Sequence, residues 1–375
     1  MKVILSGGGT GGHVYPAICI GKALQKIEKD TELLFVGTNK GMEMDIVPKE
    51  GVKLKTIKVR GFKRSLSVDN AKAFFEIFTG LFESAKIIKA FKPDVVIGTG
   101  GYVCGPVLLM ASLMGIPTLI HEQNAVPGIT NKILSRFVKR VAVTYKGTEK
   151  QFKYEDRVFY SGNPIREGFQ AINKEEGLKV LGFDTNLPLI LVTGGSSGAK
   201  KINLSMGKLA KDCVENKKFQ ILHVTGKKTY DEVLEYYKVF GIRDFKKGNL
   251  KVIPYLSKMA EALSAADLVI ARAGAGILSE IAVTGCPALL IPYPFATNNH
   301  QEMNARAYEE AGGAKVLLEE GLHETSLFNE VTKLLANNEK RKMMTEAGKK
   351  FGKTDSAEII AKEVMELLKK SRGGK

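Results

Sequence analysis

Two doubly wound α/β domains, each a parallel sheet flanked by helices, facing one another across a cleft, are what this 375-residue sequence predicts. Three observations carry the expectation. The first is the opening stretch, where the strand-like run Lys2-Val3-Ile4-Leu5 leads into Ser6-Gly7-Gly8-Gly9-Thr10-Gly11-Gly12-His13, and apolar residues at helical spacing follow from Ala17 to Ile27. Five glycines in six positions are conformationally costly, so the turn needs a geometry or a close approach that a Cβ would forbid. Strand, glycine turn and helix in that order make the arrangement that cradles phosphate groups. The second observation is that the same grammar restarts at Leu187 to Val192, which runs into Gly194-Gly195-Ser196-Ser197-Gly198 and a helix from about Lys200. The third is length, which exceeds what one hydrophobic core usually serves.

In chain order, Leu33 to Val36 reads as the second strand, ending at Gly37-Thr38. A dinucleotide-binding unit should close this strand with an acidic residue for the ribose, and its absence argues against an NAD enzyme. Met42 to Val47 reads as a short helix and Val52 to Val59 as a strand, followed by the basic turn Arg60-Gly61-Phe62-Lys63-Arg64. From Asp69 to Phe91 a helix carries too many apolar residues for one narrow stripe. Pro93 to Ile97 is a strand, Pro106 to Met114 a helix, and Ile116 to Ile120 a strand delivering His121-Glu122-Gln123-Asn124 to the following loop. A helix from Gly128 to Phe137 and strands at Arg140 to Val143 and Val158 to Tyr160 end the half, with Ser161 to Pro164 as a hinge. In the second half, Phe219 to Val224, Leu250 to Ile253, Asp267 to Ile270 and Pro287 to Ile291 read as strands. Helices near Thr229 to Val239, Lys258 to Ala265 and Ala275 to Val283 separate them, and an amphipathic helix from about Asp355 to Lys370 closes the chain.

With 44% hydrophobic and 26% charged residues the chain is globular. Its formal charge of +16 attracts nucleic acid, anionic lipid or phosphorylated substrate. The basic residues are spread throughout, without the stripe or module of a nucleic-acid binder, so no nucleic-acid partner is expected. Cys19, Cys104, Cys213 and Cys286 are far apart, which indicates neither a zinc site nor a disulfide framework and fits a reducing cytosol. The N-terminus reaches glycine too soon for a signal peptide. Val95 to Ile120 lacks charge, yet Gly98, Gly100, Gly101, Gly105, Pro106, Gly115 and Pro117 divide it into strand, loop, helix and strand instead of a membrane span. No Asp-x-Asp pair occurs, so a metal-held diphosphate is not expected and the site should be metal-independent.

Chemistry concentrates at three glycine-rich turns able to present N–H groups to anions: Gly7 to Gly12, Gly194 to Gly198, and Gly274-Ala275-Gly276. The third opens a helix, whose N-terminal dipole suits a pyrophosphate, and Ser279 and Glu280 follow one turn on. His13, at the mouth of the first turn, can exchange a proton near neutral pH. The loop from Tyr293 to Asn304 holds Asn298, Asn299, His300, Gln301 and Asn304, amides suited to sugar hydroxyls.

Taken together, Gly8 to His13, Gly100 to Val103, His121 to Asn124, Gly162 to Arg166, Gly194 to Ser196, Gly274 to Glu280 and His300 to Ala305 resemble the MurG family of bacterial N-acetylglucosaminyltransferases, in order and over essentially the whole chain. The resemblance implies a GT-B fold of two Rossmann-like domains: an acceptor-binding domain at 1–163, a UDP-N-acetylglucosamine-binding domain at 164–352, and a terminal helix at 353–375 packing back on the first. It implies inverting transfer of N-acetylglucosamine from UDP-N-acetylglucosamine to the 4-hydroxyl of the muramyl residue of lipid I, giving lipid II for peptidoglycan. No cofactor beyond the donor substrate is implied. By the same carry-over, Thr10, Gly11, Gly12 and Asn124 meet the sugar and acceptor. Arg166, Ser196, Leu256 and the run Ala275, Gly276, Ile277, Leu278, Ser279 and Glu280 hold UDP, with Glu280 on the ribose, and Gln301 reads the sugar hydroxyls. The family commonly has Gln where this chain has Ser197. Inversion needs one base, for which His13 is preferred and His121 is the alternative. Because the acceptor is lipid-linked, peripheral attachment to the cytoplasmic face of the inner membrane is expected. The segment Arg60 to Lys92 would meet anionic lipid through Phe62, Phe74, Phe75, Phe78 and Phe82 with Lys63, Arg64, Lys72, Lys86 and Lys89.

Overall fold

The computed structural model describes residues 1–60, 68–169, 172–195, 198–245 and 248–373. The chain divides into two compact units, Met1–Arg166 with Thr354–Lys375, and Glu167–Lys353. The first contains β1 (Lys2–Ser6), α1 (Gly11–Ile27), β2 (Glu32–Gly37), α2 (Glu43–Lys49), β3 (Lys53–Thr56), α3 (Val68–Phe91), β4 (Val95–Gly98), α4 (Cys104–Leu113), β5 (Thr118–Glu122), α5 (Ile129–Leu134), β6 (Arg140–Val143) and β7 (Val158–Tyr160). The second contains α6 (Lys174–Leu181), β8 (Leu189–Thr193), α7 (Lys200–Leu204), α8 (Gly207–Asn216), β9 (Gln220–Val224), α9 (Tyr230–Val239), β10 (Leu250–Ile253), α10 (Met259–Ala265), β11 (Leu268–Ala271), α11 (Ala275–Thr284), β12 (Ala288–Leu290), α12 (His300–Glu310), β13 (Ala314–Val316), α13 (Glu324–Ala336) and α14 (Asn338–Phe351). The last helix, α15 (Ser356–Gly373), returns to the first unit.

The strand order is β3-β2-β1-β4-β5-β6-β7 in one sheet and β10-β9-β8-β11-β12-β13 in the other, with every pairing parallel. Parallel strands buried on both faces should be unbroken apolar runs. β1, β4, β8 and β11 are such runs, whereas the edge strand β3 leaves Lys53 and Lys55 exposed, a charged edge that discourages further pairing. In each sheet the order reverses beside the first strand, between β1 and β4 and between β8 and β11. Open α/β sheets bind ligands outside the carboxyl ends of the strands at such a reversal.

Three sequence expectations shift. α1 begins at Gly11, so His13 stands on its first turn instead of in the loop before it. β5 continues through Glu122, which pairs with Val143, so His121 lies inside the sheet. The amide-rich loop after β12 becomes α12 from His300, preceded by Asn298 and Asn299 with φ of 52° and 53°, a left-handed pair that asparagine tolerates.

The first unit has a core on each face of its sheet. On one face, Ile360, Ala361, Val364 and Leu368 of α15 join Val14, Ala17, Ile18 and Leu24 of α1, and Glu363 pairs with Arg140 at 2.5 Å. The second unit gathers its largest core around Ile190, Ile221, Leu268, Leu289 and the fully buried Tyr237. No helix among the described residues is long and apolar enough to cross a membrane.

Candidate active site

In the first unit the turns after β1 and β4 interlock because both are written in glycine. A Cβ on Gly101 would lie 2.6 Å from the Gly8 carbonyl oxygen, and one on Gly100 would lie 2.9 Å from Nδ1 and Cε1 of His13. The approach puts the His13 ring against Thr99. His13 Nδ1–H donates to the Thr99 carbonyl oxygen at 2.9 Å, and because a carbonyl only accepts, neutral His13 carries its lone pair on Nε2. The Thr99 hydroxyl in turn donates to the His13 carbonyl at 2.6 Å. The Thr99 carbonyl is shared with Gln123, whose Nε2–H donates to it at 2.7 Å.

His121 is in a different position. It is fully buried, its Nε2–H donating to the Gly162 carbonyl at 3.0 Å while its Nδ1 accepts from Gln123 Nε2 at 3.1 Å. Desolvation, chiefly, pushes its pKa down to about 4, so it is neutral at physiological pH with both ring nitrogens engaged.

Two carboxylates shape the surrounding loops. Glu122 is buried and accepts from Asn124 N at 3.0 Å, Asn124 Nδ2 at 3.1 Å, Gly128 N at 3.0 Å and Asn131 Nδ2 at 2.8 Å, which fixes the backbone and amide of Asn124. Glu43, passed over in the sequence, opens α2 and accepts from Gly9 N at 3.1 Å and from Thr38 N and Oγ1 at 2.9 and 2.7 Å. Its sequence signal is Gly37 and Gly41, both just ahead of the helix start, the residues that make room for it. Thr10 is exposed as the N-cap of α1, with Gly11 and Gly12 following it in the first turn. Arg166 belongs to the first unit, with its guanidinium 4.8 Å from the centre of the Tyr15 ring, whereas Leu256 and Ala275 to Glu280 belong to the second.

In the second unit the turn Arg272-Ala273-Gly274 leads from β11 into α11. A Cβ on Gly274 or Gly276 would meet nothing within 4 Å among the described residues, so the backbone there faces open space. The first turn of α11 holds no acidic residue, so its N-terminal dipole favours an anion. Leu278 is a core side chain and Ala275 is buried, whereas Gly276, Ile277, Ser279 and Glu280 are half-buried. Ser279 Oγ donates to the Ala275 carbonyl at 2.8 Å. Gln301 holds this turn in place, its Oε1 accepting from Ala273 N at 3.3 Å and Tyr293 N at 3.0 Å, which orients its amide nitrogen away from those two donors. Arg272, also unremarked in the sequence, donates from one guanidinium nitrogen to the Ile291 and Pro292 carbonyls, both at 3.1 Å, and pairs with Glu319 at 2.5 Å. Leu256 is half-buried in the loop after β10. Ser196 and Ser197 lie outside the described residues.

On the first unit α3 packs on α4 and α4 on α5. These helices and the turn after α5 leave Phe78, Phe82, Leu113, Ile129, Ile133 and Phe137 exposed, with exposed Lys86, Lys89 and Lys132 beside them. Of the residues expected to meet lipid, Phe62, Lys63 and Arg64 lie outside the described residues, as do the side chains of Lys72, Phe74 and Phe75. No cluster of three His, Cys, Asp or Glu side chains suited to a metal occurs among the described residues.

Residues 3–143 match the glycosyltransferase family 28 N-terminal domain and residues 189–360 its C-terminal domain. The chain is 50% identical over 367 residues, 98% of its length and 100% of the relative's, to a Thermoanaerobacter sp. (strain X514) protein named UDP-N-acetylglucosamine--N-acetylmuramyl-(pentapeptide) pyrophosphoryl-undecaprenol N-acetylglucosamine transferase. It is 47% identical over 374 residues to the Acetivibrio thermocellus protein of the same name, covering 100% of each chain. The crystal structure of Acinetobacter baumannii MurG superimposes with a TM-score of 0.75 at 29% identity, over 97% of this chain and 99% of that one.

Proposed function

We propose, from the premise that this chain belongs to glycosyltransferase family 28, that it moves N-acetylglucosamine from UDP-N-acetylglucosamine to the 4-hydroxyl of the muramyl residue of N-acetylmuramyl-(pentapeptide) pyrophosphoryl-undecaprenol, lipid I, making lipid II for peptidoglycan. The observation that carries the donor half is the start of α11, where glycine backbone at a helix N-terminus with no acidic residue in its first turn faces open space one turn before Glu280. Backbone N–H groups there take the diphosphate, and the Glu280 carboxylate accepts from the ribose hydroxyls. Gln301, with its oxygen already engaged, has its NH2 to offer a sugar hydroxyl.

In the reaction, His13 Nε2 takes the proton from the acceptor 4-hydroxyl as that oxygen attacks the anomeric carbon from the face opposite UDP. The bond between that carbon and the diphosphate oxygen breaks, UDP leaves with the electron pair, and configuration inverts. The positive charge formed on His13 is stabilised through Nδ1–H by the Thr99 carbonyl, much as a carboxylate supports a histidine base elsewhere. His13 is favoured over His121 because the latter is buried with both nitrogens committed. Thr10, Gly11, Gly12 and Asn124 belong to the acceptor side, and Arg166, Ser196, Leu256 and Ala275 to Glu280 to the donor side. No cofactor or metal enters this scheme.

The same reading includes peripheral attachment to the cytoplasmic face of the inner membrane. Phe78 is 58% and Phe82 74% exposed on α3, beside Lys86 and Lys89, an apolar-plus-basic surface suited to anionic lipid. The activity is tested by incubating the full chain with labelled UDP-N-acetylglucosamine and a lipid I analogue. Labelled disaccharide is expected with the wild type and is lost with His13→Ala, whereas transfer retained by His13→Ala and abolished by a folded His121→Gln would move the base to His121.

A further inference from the structure

The Glu43 carboxylate is fully buried, and its three hydrogen-bond donors, Gly9 N–H, Thr38 N–H and Thr38 O–H, are all uncharged. Room for it comes from glycines in separate segments. A Cβ on Gly37 would lie 2.6 Å from its Cγ, one on Gly8 would lie 2.9 Å from its Oε1, and one on Gly41 would collide with the carboxylate outright. Burying a carboxylate is costly unless its oxygens are hydrogen-bonded, so this one is held at a specific place for a reason.

That place is the glycine turn after the first strand. In a phosphate-binding turn the glycine N–H groups point at the ligand, whereas Gly9, at φ 86°, points its N–H at the chain's own carboxylate. The corresponding turn of the second unit differs, since Gly195 N–H meets the neutral Thr193 hydroxyl at 3.3 Å. We propose that Glu43 is the resident anion of the first glycine turn and decides what that turn accepts: hydroxyl groups of a sugar ring, and no diphosphate, whether from a nucleotide or from a lipid-linked acceptor. A second anion brought to the exposed Gly9 would find its N–H already taken and the buried Glu43 carboxylate close by, a like charge that repels it. The same carboxylate is a positioning group, because it fixes the turn from which Thr10 and His13 follow. The inference deepens the reading in which the first unit takes the acceptor sugar.

The test follows the Gly9 amide by NMR in the full chain labelled with 15N-glycine, as inorganic pyrophosphate is added with and without saturating UDP. In the wild type the Gly9 resonance stays in place under both conditions, and in Glu43→Gln, which removes the charge and keeps the volume, pyrophosphate moves it. Glu43→Asp, one methylene shorter but still charged, keeps pyrophosphate out. In the transfer assay Glu43→Gln lowers kcat about tenfold to a hundredfold, the weight of one hydrogen bond to a charged group. Its KM for UDP-N-acetylglucosamine stays within about twofold, as for an independent site. A wild-type Gly9 resonance that shifts with pyrophosphate overturns the proposal even if the variants do not fold, and so does a folded Glu43→Gln that excludes pyrophosphate as the wild type does. Failure of the transferase reading would appear separately, as wild-type chain making no disaccharide, and would leave the Gly9 measurement intact.

Discussion

Replacing Gly100 by alanine should damage catalysis while sparing nucleotide binding. The new Cβ would stand 2.9 Å from Nδ1 and Cε1 of His13, where ordinary contact begins at 3.4 Å, so the ring must retreat by about half an ångström. Backbone yields little, since Gly100 already sits at φ 104°, where a side chain adds about 1–3 kcal/mol of strain. The ring is fixed by one hydrogen bond to the neighbouring Thr99 carbonyl, and displacement loosens that bond and misdirects Nε2 together. Misplacing a catalytic group by about 1 Å costs on the order of 10²-fold, so a loss of about tenfold to a hundredfold in kcat is expected. His13→Ala sets the ceiling at about 10²–10⁴-fold. The assay is transfer of labelled N-acetylglucosamine to a lipid I analogue, with calorimetric UDP affinity and circular dichroism as controls. The double variant Gly100→Ala/His13→Ala should lose no more than His13→Ala alone, since both act through one ring. A folded Gly100→Ala with wild-type kcat, or additive losses in the double variant, would refute the reasoning.

Glu280→Ala should weaken UDP binding by about 1.5–3 kcal/mol, the weight of hydrogen bonds to a charged group, and calorimetry showing unchanged affinity in a folded variant would remove Glu280 from the ribose. Stability should fall on acidification, because the buried His121, with its pKa pushed down from 6.5 to about 4, stays neutral when folded but takes a proton once unfolded. The loss begins near pH 6.5, continues to about pH 4 and amounts to about 2 kcal/mol by pH 5. It is read as a lower urea midpoint by circular dichroism that His121→Gln, if folded, makes less pH-dependent. Changing Phe78 and Phe82 to serine should cut sedimentation with anionic vesicles, each exposed phenylalanine being worth up to about 1.5–3 kcal/mol if fully buried in lipid. Undiminished or salt-insensitive recovery would take α3 out of the membrane contact.

The parallel sheets were legible because their central strands are short apolar runs ending in glycine, a pattern that burial on both faces dictates. Boundaries were harder where local signals mislead. Gly11 and Gly12 read as loop because glycine is a poor helix former, yet they form the first turn of a helix whose N-cap position is Thr10. His121 and Glu122 read as loop because they are polar, but pairing with β6 and a dense set of hydrogen bonds keeps them in β5. Glu43 reads as an ordinary helix-start carboxylate because, although Thr38 is near it in the chain, its partner Gly9 comes from a distant turn that only the fold brings to it. Gln301 reads in the sequence as an amide suited to sugar hydroxyls. That its oxygen already ties α12 to the turn of α11 follows only from the tertiary structure.

The return of α15 to the first unit bears on how the chain is made. Domains generally fold as they leave the ribosome, the N-terminal one first. Here Val14, Ala17, Ile18 and Leu24 wait for Ile360, Ala361, Val364 and Leu368 of α15, made after the whole second unit. The second unit, continuous from Glu167 to Lys353, has all its residues available earlier, so the half begun first is the half completed last. A chain lacking α15 would therefore keep an intact second unit and leave the apolar face of α1 uncovered, a substrate for proteolysis and not a slightly shortened enzyme.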